Sequence, residues 1–147
     1  MFTNPSDDDL RGILLATKTI ALVGASANPA RASYGVMKRL LEQGYVVHPI
    51  NPGLAGQELL GQTTFARLAD VPGPVDCVEI FRNSEVAGTV VDEALSEKQR
   101  LSLHTIWMQL GIANEDAANR AIEAGLRVVM DRCLKIEIER LGLVTGR

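Results

Sequence analysis

The segment from Gly24 to Gly35 carries the residue types that bind a phosphate group. A glycine such as Gly24 permits close approach of the backbone, and the hydroxyls of Ser26 and Ser33 can donate hydrogen bonds to phosphate oxygens. Arg31 can bind the same oxygens through two parallel hydrogen bonds, and the first amides of a following helix would add further donors. These residues predict a phosphate-binding loop; the competing interpretation is an ordinary strand-to-helix loop with a solvated arginine.

Two features that specify NAD are missing around this loop. The dinucleotide fingerprint Gly-x-Gly-x-x-Gly fails, because the next glycine after Gly24 is Gly35. A NAD site also places Asp or Glu at the end of the second strand to bind the ribose, and Asn51 and Pro52 stand there instead. NADP is excluded less firmly, since Arg31 could meet its 2′-phosphate. An NADP-dependent oxidoreductase therefore remains an alternative.

The histidines and cysteines do not form a catalytic or metal-binding set. His48 lies within an apolar strand, where we expect a packed or hydrogen-bonded ring, and His104 follows a polar segment and is expected to be solvated or at an interface. Cys77 lies on a predicted central strand and is expected to be buried and inert. With two histidines and no local acid partner, we predict no catalytic residue and no metal ligand.

The hydrophobic period changes repeatedly along the chain, which indicates alternating strands and helices. Short apolar runs predict five strands, at 19–23, 45–50, 75–81, 105–110 and 126–130. Helical spacing predicts helices over 7–17, 36–44, 85–95 and 115–124, with Ser6, Ser84 and Asn114 as N-caps, and a final short helix or extended tail near 136–141. The stretch 51–74 is rich in glycine and proline and predicts a long irregular connection with a short helix near 65–69.

Alternation of this kind is typical of an α/β fold, here a Rossmann-like three-layer sandwich with helices on both faces of a five-stranded parallel sheet. Right-handed crossovers predict the strand order 3-2-1-4-5, with a reversal of direction between the first and fourth strands. Ligands of open parallel sheets bind at the carboxyl ends of the strands, where the order reverses. The predicted phosphate loop leaves the first strand at that edge.

Length and composition restrict the classes of function. The 147 residues suit one domain over 1–147, with a core at about 17–141, and 46% of them are hydrophobic. A net charge of −3 and an aromatic content of 4% argue against a nucleic-acid surface. The acidic start and the lack of a long apolar run argue against a secretory signal and a membrane helix. We expect a cytoplasmic protein without nucleic-acid or membrane partners.

Five motifs in order give the sequence a family resemblance. They are Val-Gly-Ala-Ser at 23–26 with Pro29, Arg31 and Ser33; Gly-Tyr-Val-Val-His-Pro-Ile-Asn-Pro at 44–52; Val-Asp-Cys-Val-Glu-Ile-Phe-Arg at 75–82; Trp-Met-Gln-Leu-Gly at 107–111; and Val-Val-Met-Asp-Arg-Cys at 128–133. Together they resemble the small stand-alone CoA-binding proteins, which look like the amino-terminal domain of the succinyl-CoA synthetase alpha subunit. The resemblance covers the chain from about Thr17 to Leu141.

The resemblance implies that coenzyme A binds at the carboxyl edge of the sheet through three segments. The loop after the first strand would take the phosphates, the end of the second strand would flank the nucleotide, and the end of the third would add further contacts. Carried onto this sequence, the three segments are Gly24, Ala25, Ser26, Arg31, Ser33 and Tyr34; Asn51 and Pro52; and Phe81, Arg82 and Asn83.

The implied function is non-catalytic binding of coenzyme A or an acyl-CoA, as a carrier, sensor or regulatory module. In the synthetase, phosphoryl transfer uses a histidine on a further domain, which a chain of this length does not hold. The alternatives are the NADP-dependent oxidoreductase on the same fold and a subunit that supplies a CoA site to a separate catalytic chain. A protein partner or a homodimer is compatible with each.

Cys133 is the one cysteine with a candidate reactivity. It follows Arg132, and a nearby guanidinium favours the thiolate form of a cysteine. A thiolate near coenzyme A could form a mixed disulfide with the ligand's thiol; the competing interpretation is a buried structural cysteine. We expect Asp131 and Arg132 to form a local ion pair.

Overall fold

A five-stranded parallel sheet organises the chain in the computed structural model, which describes residues 2–143. The strands of this sheet are β1 (Thr19–Val23), β2 (Val46–Ile50), β5 (Cys77–Ile80), β6 (Thr105–Met108) and β7 (Arg127–Val129). Along the chain, a small antiparallel hairpin of β3 (Glu58–Leu59) and β4 (Gln62–Thr63) comes between β2 and β5. Helices α1 (Asp7–Ala16), α2 (Ala32–Glu42) and α5 (Leu134–Arg140) cover one face, and α3 (Ser84–Leu101) and α4 (Glu115–Glu123) cover the other. The α/β three-layer class is confirmed.

The strand order differs from the predicted one. The sheet runs β2-β1-β5-β6-β7, which is 2-1-3-4-5 when the parallel strands are counted along the chain. The third parallel strand therefore pairs with the first strand and not with the second. Strand β2 suits the edge because Val46 is exposed and Pro49 cannot donate a ladder hydrogen bond, whereas every residue of β5 is buried. The order consequently reverses between β1 and β5, not between the first and fourth strands.

Helix α3 is longer than the sequence predicts and begins with a different cap. Asn83 is the N-cap, since its Oδ1 accepts a hydrogen bond from the amide of Val86 at 3.0 Å, and Ser84 is already helical. The helix continues to Leu101, where Ser102 adopts a left-handed conformation with φ of 55° and ends it. The additional residues run toward the amino edge of the sheet, where the carbonyl of Leu101 accepts a hydrogen bond from the amide of Val75 at 2.8 Å.

Two hydrophobic cores lie on the two faces of the sheet. Among the described strand residues, one buried side chain is a carboxyl group, that of Glu79. Glu79 stands in register between Leu22 on β1 and Trp107 on β6, and its exposed fraction is 0%. Neither of its carboxyl oxygens has a hydrogen-bond partner within residues 2–143. Burial raises the pKa of Glu79 to about 8.

The segment before α1 binds the backbone at the carboxyl end of β7, the strand at one edge of the sheet. The side-chain amide of Asn4 donates to the carbonyl of Met130 at 2.9 Å and its oxygen accepts from the amide of Met130 at 2.8 Å, so that one side chain replaces a neighbouring strand. No helix in residues 2–143 is long and apolar enough to cross a membrane.

Asn4→Ala should lower the free energy of unfolding by about 1 to 2 kcal/mol, because both backbone groups of Met130 lose their partner. Urea denaturation measures the change. Asn119→Ala is the control, since Asn119 is exposed on α4 and alanine favours a helix. Equal stability of Asn4→Ala and the unaltered protein would show that the edge is not held by this side chain.

Candidate functional site

A cavity of about 800 Å³ opens at the carboxyl edge of the sheet, where the strand order reverses between β1 and β5. Its wall is built by the β1–α2 loop, the segment that follows β2, the β5–α3 loop and one face of α3. Of the residues that the sequence pointed to, these line it: Gly24, Ala25, Ser26, Arg31, Asn51, Pro52, Phe81, Arg82 and Asn83. The fold thus brings the three predicted segments to one cavity.

Ser33 and Tyr34 are the two candidate residues that do not line the cavity. Helix α2 begins at Ala32, four residues earlier than the periodicity predicts, so both residues belong to its first turn. Ser33 is 5% exposed and shares the core-facing side of α2 with Val36 and Met37, while Tyr34 packs, half-buried, against the same core. Their contribution to a ligand stays a prediction.

Gly24 sets the close approach between two of the cavity-lining loops. Its φ is +94°, and a Cβ built on it would lie 3.0 Å from the carbonyl oxygen of Phe81 and 3.1 Å from Cδ of Arg82. Its amide and that of Ala25 both donate to the carbonyl of Ile50, at 3.0 and 3.2 Å. A side chain at this position would separate the β1 and β5 loops.

The side chain of Asn51 connects two segments of the cavity wall. Its Nδ2 donates to the carbonyl of Ala25 at 2.8 Å, and its Oδ1 accepts from the amide of Gly53 at 2.8 Å. The amide therefore ties the phosphate-loop candidate to the end of β2. The same position carries an acid in NAD sites, and here its side chain positions the loop.

The cavity wall carries an excess of positive charge. Arg31, Arg67 and Arg82 line it together with one carboxylate, Glu93, among the described residues. Arg67 lies 3.4 Å from Asp70, whereas no ion pair or hydrogen bond within residues 2–143 engages the guanidinium of Arg31 or Arg82. Two arginines without a counter-ion at one cavity favour an anionic ligand.

Arg31, which lines the cavity, is also the N-cap of α2, whose amino-terminal end carries partial positive charge. Arg31 occupies the N-cap position without a side-chain cap hydrogen bond, and the first turn contains no acidic residue. The first backbone amides of α2 therefore have no capping side chain as a hydrogen-bond acceptor. Together with the two arginines, this helix end makes the cavity chemically suited to phosphate oxygens.

Four polar residues of the wall were not among the predicted site residues: Asn28, Arg67, Thr89 and Glu93. Arg67 comes from the long connection after β2, where irregular backbone gives no periodic signal. Thr89 and Glu93 lie one turn apart on α3, beside the apolar cavity residues Val86 and Val90. The helical spacing of these four α3 residues could have marked a single cavity-facing side of α3.

Neither histidine lies at the cavity. His48 on β2 packs edge-on against Phe65 with ring centroids 5.8 Å apart, and burial lowers the pKa of His48, as expected for a packed ring. His104 lies at the amino end of β6, where Nδ1 is 2.7 Å from Oγ1 of Thr105 and Nε2 is 3.7 Å from Oδ1 of Asp76. Residues 2–143 contain no cluster of three side chains that could hold a metal ion.

The two cysteines are buried away from the cavity. Cys77 lies within β5, and burial raises the pKa of its thiol well above the usual value. Cys133 is the N-cap of α5 and belongs to the core beneath α1, α2 and α5, so its position favours the structural interpretation over a mixed disulfide.

The predicted ion pair between Asp131 and Arg132 is wrong. Oδ1 of Asp131 accepts a hydrogen bond from the amide of Gly111 at 2.7 Å. Nε of Arg132 lies 3.4 Å from the carboxylate of Glu137 on α5. Both residues lie beyond the end of β7, where Asp131 has left-handed backbone with φ of 56°, and Nη1 of Arg132 donates to the backbone carbonyl of Asp131 at 3.2 Å and not to its carboxylate.

A doubly wound parallel sheet with an anion-suited cavity at its reversal point defines a nucleotide-binding type of α/β domain. Sequence comparison makes this more specific. The family of CoA binding domains matches residues 18–139, so the chain belongs to that family. The five sequence motifs predicted the same class of protein, and this prediction is confirmed.

Relatives of similar length share the whole domain. The uncharacterized protein YneT of Bacillus subtilis is 37% identical over 133 residues, which cover 90% of this chain and 94% of YneT. A solved structure of a hypothetical protein from Pyrococcus horikoshii is 37% identical with a TM-score of 0.85, covering 96% of this chain and 98% of that one.

A second group of relatives carries the domain as a small part of an enzyme. The alpha subunit of ADP-forming acetate–CoA ligase I from Pyrococcus furiosus is 30% identical over 84 residues, which cover 54% of this chain and 18% of the subunit. A dinucleotide-forming acetyl-coenzyme A synthetase from Korarchaeum cryptofilum, solved with phosphate and ADP, has a TM-score of 0.66 at 26% identity, covering 86% of this chain and 28% of that one. The chain thus spans less than a third of either enzyme chain.

Proposed function

We propose that this protein binds coenzyme A or an acyl-CoA without transforming it, as a carrier, sensor or regulatory module. The observation that carries the proposal is the pair of arginines, Arg31 and Arg82, that line one cavity without a counter-ion in residues 2–143. Coenzyme A brings a pyrophosphate and a 3′-phosphate, whose charges those guanidinium groups would offset.

The chain's own groups suit this ligand. The β1–α2 loop would hold phosphate oxygens through Ser26, Arg31 and the first amides of α2, and Arg82 would approach from the β5–α3 loop. Pro52 and the apolar side of α3 would flank the nucleotide. Family membership supports the choice of coenzyme A among phosphate ligands.

A thermal-shift comparison of coenzyme A, dephospho-CoA, NAD and NADP tests the proposal. A ligand at 100 times its Kd stabilises the folded state by about 2.7 kcal/mol, which is a readily measured rise in Tm. We expect that rise with coenzyme A and none with NAD. A clear response to NADP and none to coenzyme A would replace the proposal by the oxidoreductase alternative.

Arg31→Ala should reduce the preference for coenzyme A over dephospho-CoA. We place Arg31 at the 3′-phosphate, so the unaltered protein should prefer coenzyme A by roughly fivefold, and the variant should bind both ligands equally. Isothermal titration calorimetry measures the four Kd values. Arg11→Ala, which removes the same charge from α1, is the control. An unchanged preference in Arg31→Ala would assign the 3′-phosphate to another group.

The ligase relatives favour a second candidate, in which this domain supplies a CoA site to a separate catalytic chain. Native mass spectrometry after mild affinity purification separates the two. A stoichiometric second polypeptide would support the subunit role, and a single species that still binds coenzyme A would support the stand-alone module.

A further inference from the structure

The residues at the end of the cavity away from the β1–β5 reversal point indicate which part of the ligand binds there. The described lining residues come from β1, β2, α3 and the connections that follow β1, β2 and β5, and none comes from β6 or β7. The cavity therefore extends from the β1–β5 reversal point toward the β2 side of the sheet. In doubly wound folds, the adenosine half of a nucleotide lies on the side of the second strand.

This extension has apolar walls that suit a flat ring. Ile50, Pro52 and Ala66, from β2 and the connection after it, line the cavity together with Val86 and Val90 of α3. Asn51 also lines it, but its side-chain amide is engaged by Ala25 and Gly53. Apolar side chains that face each other across a cleft are the usual surroundings of a bound aromatic base.

Glu93 ends this extension with a hydrogen-bond acceptor. It lies ten residues beyond Asn83 on α3, which is about 15 Å along the helix from the positively charged end. No hydrogen bond or ion pair within residues 2–143 engages its carboxylate, while the neighbouring Arg67 pairs with Asp70. A groove of about 220 Å³ continues from this point and carries a second acid, Glu97, which pairs with Arg100 at 2.6 Å.

The two ends of the cavity differ in charge: Arg31 and Arg82 have no counter-ion at the β1–β5 end, whereas at the far end Arg67 pairs with Asp70 and the carboxylate of Glu93 has no partner within residues 2–143. Arg31 and Arg82 make the β1–β5 end suitable for phosphates, and Glu93 makes the far end unsuitable for another anion. An ionised carboxylate only accepts hydrogen bonds, so the group that fits beside it must be a donor. The exocyclic amine of adenine is such a donor, whereas the carbonyl of hypoxanthine at the same position is an acceptor.

We propose that Glu93 is the specificity residue that selects an aminopurine, by accepting a hydrogen bond from the exocyclic amine of the adenine of coenzyme A. This inference rests on the proposed function, because it assigns one part of the same ligand. It places the base between Pro52 and Val90, and it makes the protein selective for adenine among purines.

The test compares coenzyme A with its inosine analogue, in which a carbonyl replaces the exocyclic amine, by isothermal titration calorimetry. We expect the unaltered protein to prefer coenzyme A by roughly tenfold, the discrimination of one hydrogen bond to a charged group. Glu93→Gln should bring the two Kd values within about twofold, because the glutamine amide can serve the amine or the carbonyl. Glu85→Gln removes the same charge from an exposed position of α3 that does not line the cavity, and should leave the preference unchanged.

The outcomes distinguish a failure of the role of Glu93 from a failure of the proposed function. Binding of coenzyme A with equal affinity for the inosine analogue, or a preference that persists in Glu93→Gln, would overturn the role of Glu93 and leave the proposed function intact. Failure of the unaltered protein to bind either compound would overturn both.

Discussion

Gly24→Ala is expected to weaken binding of coenzyme A at least tenfold and to lower the free energy of unfolding by about 2 kcal/mol. The backbone there has φ of +94°, and an L residue in left-handed backbone costs about 1 to 2 kcal/mol. The new methyl group would also lie 3.0 Å from the carbonyl oxygen of Phe81, so the β5 loop must move. That loop carries Arg82, and its displacement changes the phosphate end of the cavity.

Gly35→Ala is the matched control for this substitution. Gly35 lies within α2, and nothing within 4 Å would meet its added Cβ. Alanine should therefore stabilise the protein by about 0.5 to 1 kcal/mol through helix propensity and leave the Kd unchanged. Urea denaturation and calorimetry measure both variants. Normal affinity in Gly24→Ala would mean that the contact between the two loops is not needed for binding.

The sequence predicts the elements of the sheet well, because strands buried on both faces leave continuous apolar runs. The first strand, at 19–23, is found at Thr19–Val23. The strand order was less accessible, since periodicity shows which residues form a strand and not which strand lies beside it. Pro49 was the available cue: a proline that breaks a ladder belongs at an edge, and it places β2 outside β1.

The candidate site also contains residues that the sequence could predict and residues that it could not. Gly24 and Asn51 could be found because they follow strands directly, and Arg31 because it lies in the loop that leaves β1, where a ligand-binding edge is expected. Arg67 and Glu93 could not, since one depends on the path of an irregular connection and the other on the rotation of α3 above the sheet. Ser33 shows the opposite case: a hydroxyl of suitable type was turned into the core by a helix that begins early.

Glu79→Gln is expected to make the protein more stable than its parent in alkaline solution and to leave the difference small in acid. The folded protein holds the carboxyl of Glu79 with a pKa of about 8, above the 4.5 of an exposed glutamate, because burial penalises the charged form. A raised pKa in the folded state means that this group favours folding fully below about pH 4.5. That contribution is lost as the pH rises toward 8.

The size of the effect follows from the same two values. Each unit of pKa difference corresponds to about 1.4 kcal/mol, so the interval from 4.5 to about 8 amounts to roughly 4 to 5 kcal/mol. Glutamine has nearly the shape of the protonated acid and does not titrate, so the variant lacks this decline. Its advantage over the parent should therefore grow by more than 1 kcal/mol for each pH unit across this interval.

Urea denaturation of both proteins at half-unit steps from pH 5 to pH 8.5 measures this difference directly, because titrations common to both proteins cancel. Glu123→Gln, at an exposed position of α4, should differ from the parent by the same small amount at every pH. A flat difference for Glu79→Gln would mean that the folded protein accommodates the charged carboxylate, through a rearrangement that brings a donor to its oxygens. Because Glu79 stands two residues before the cavity-lining Phe81, such a rearrangement would also reach the ligand site.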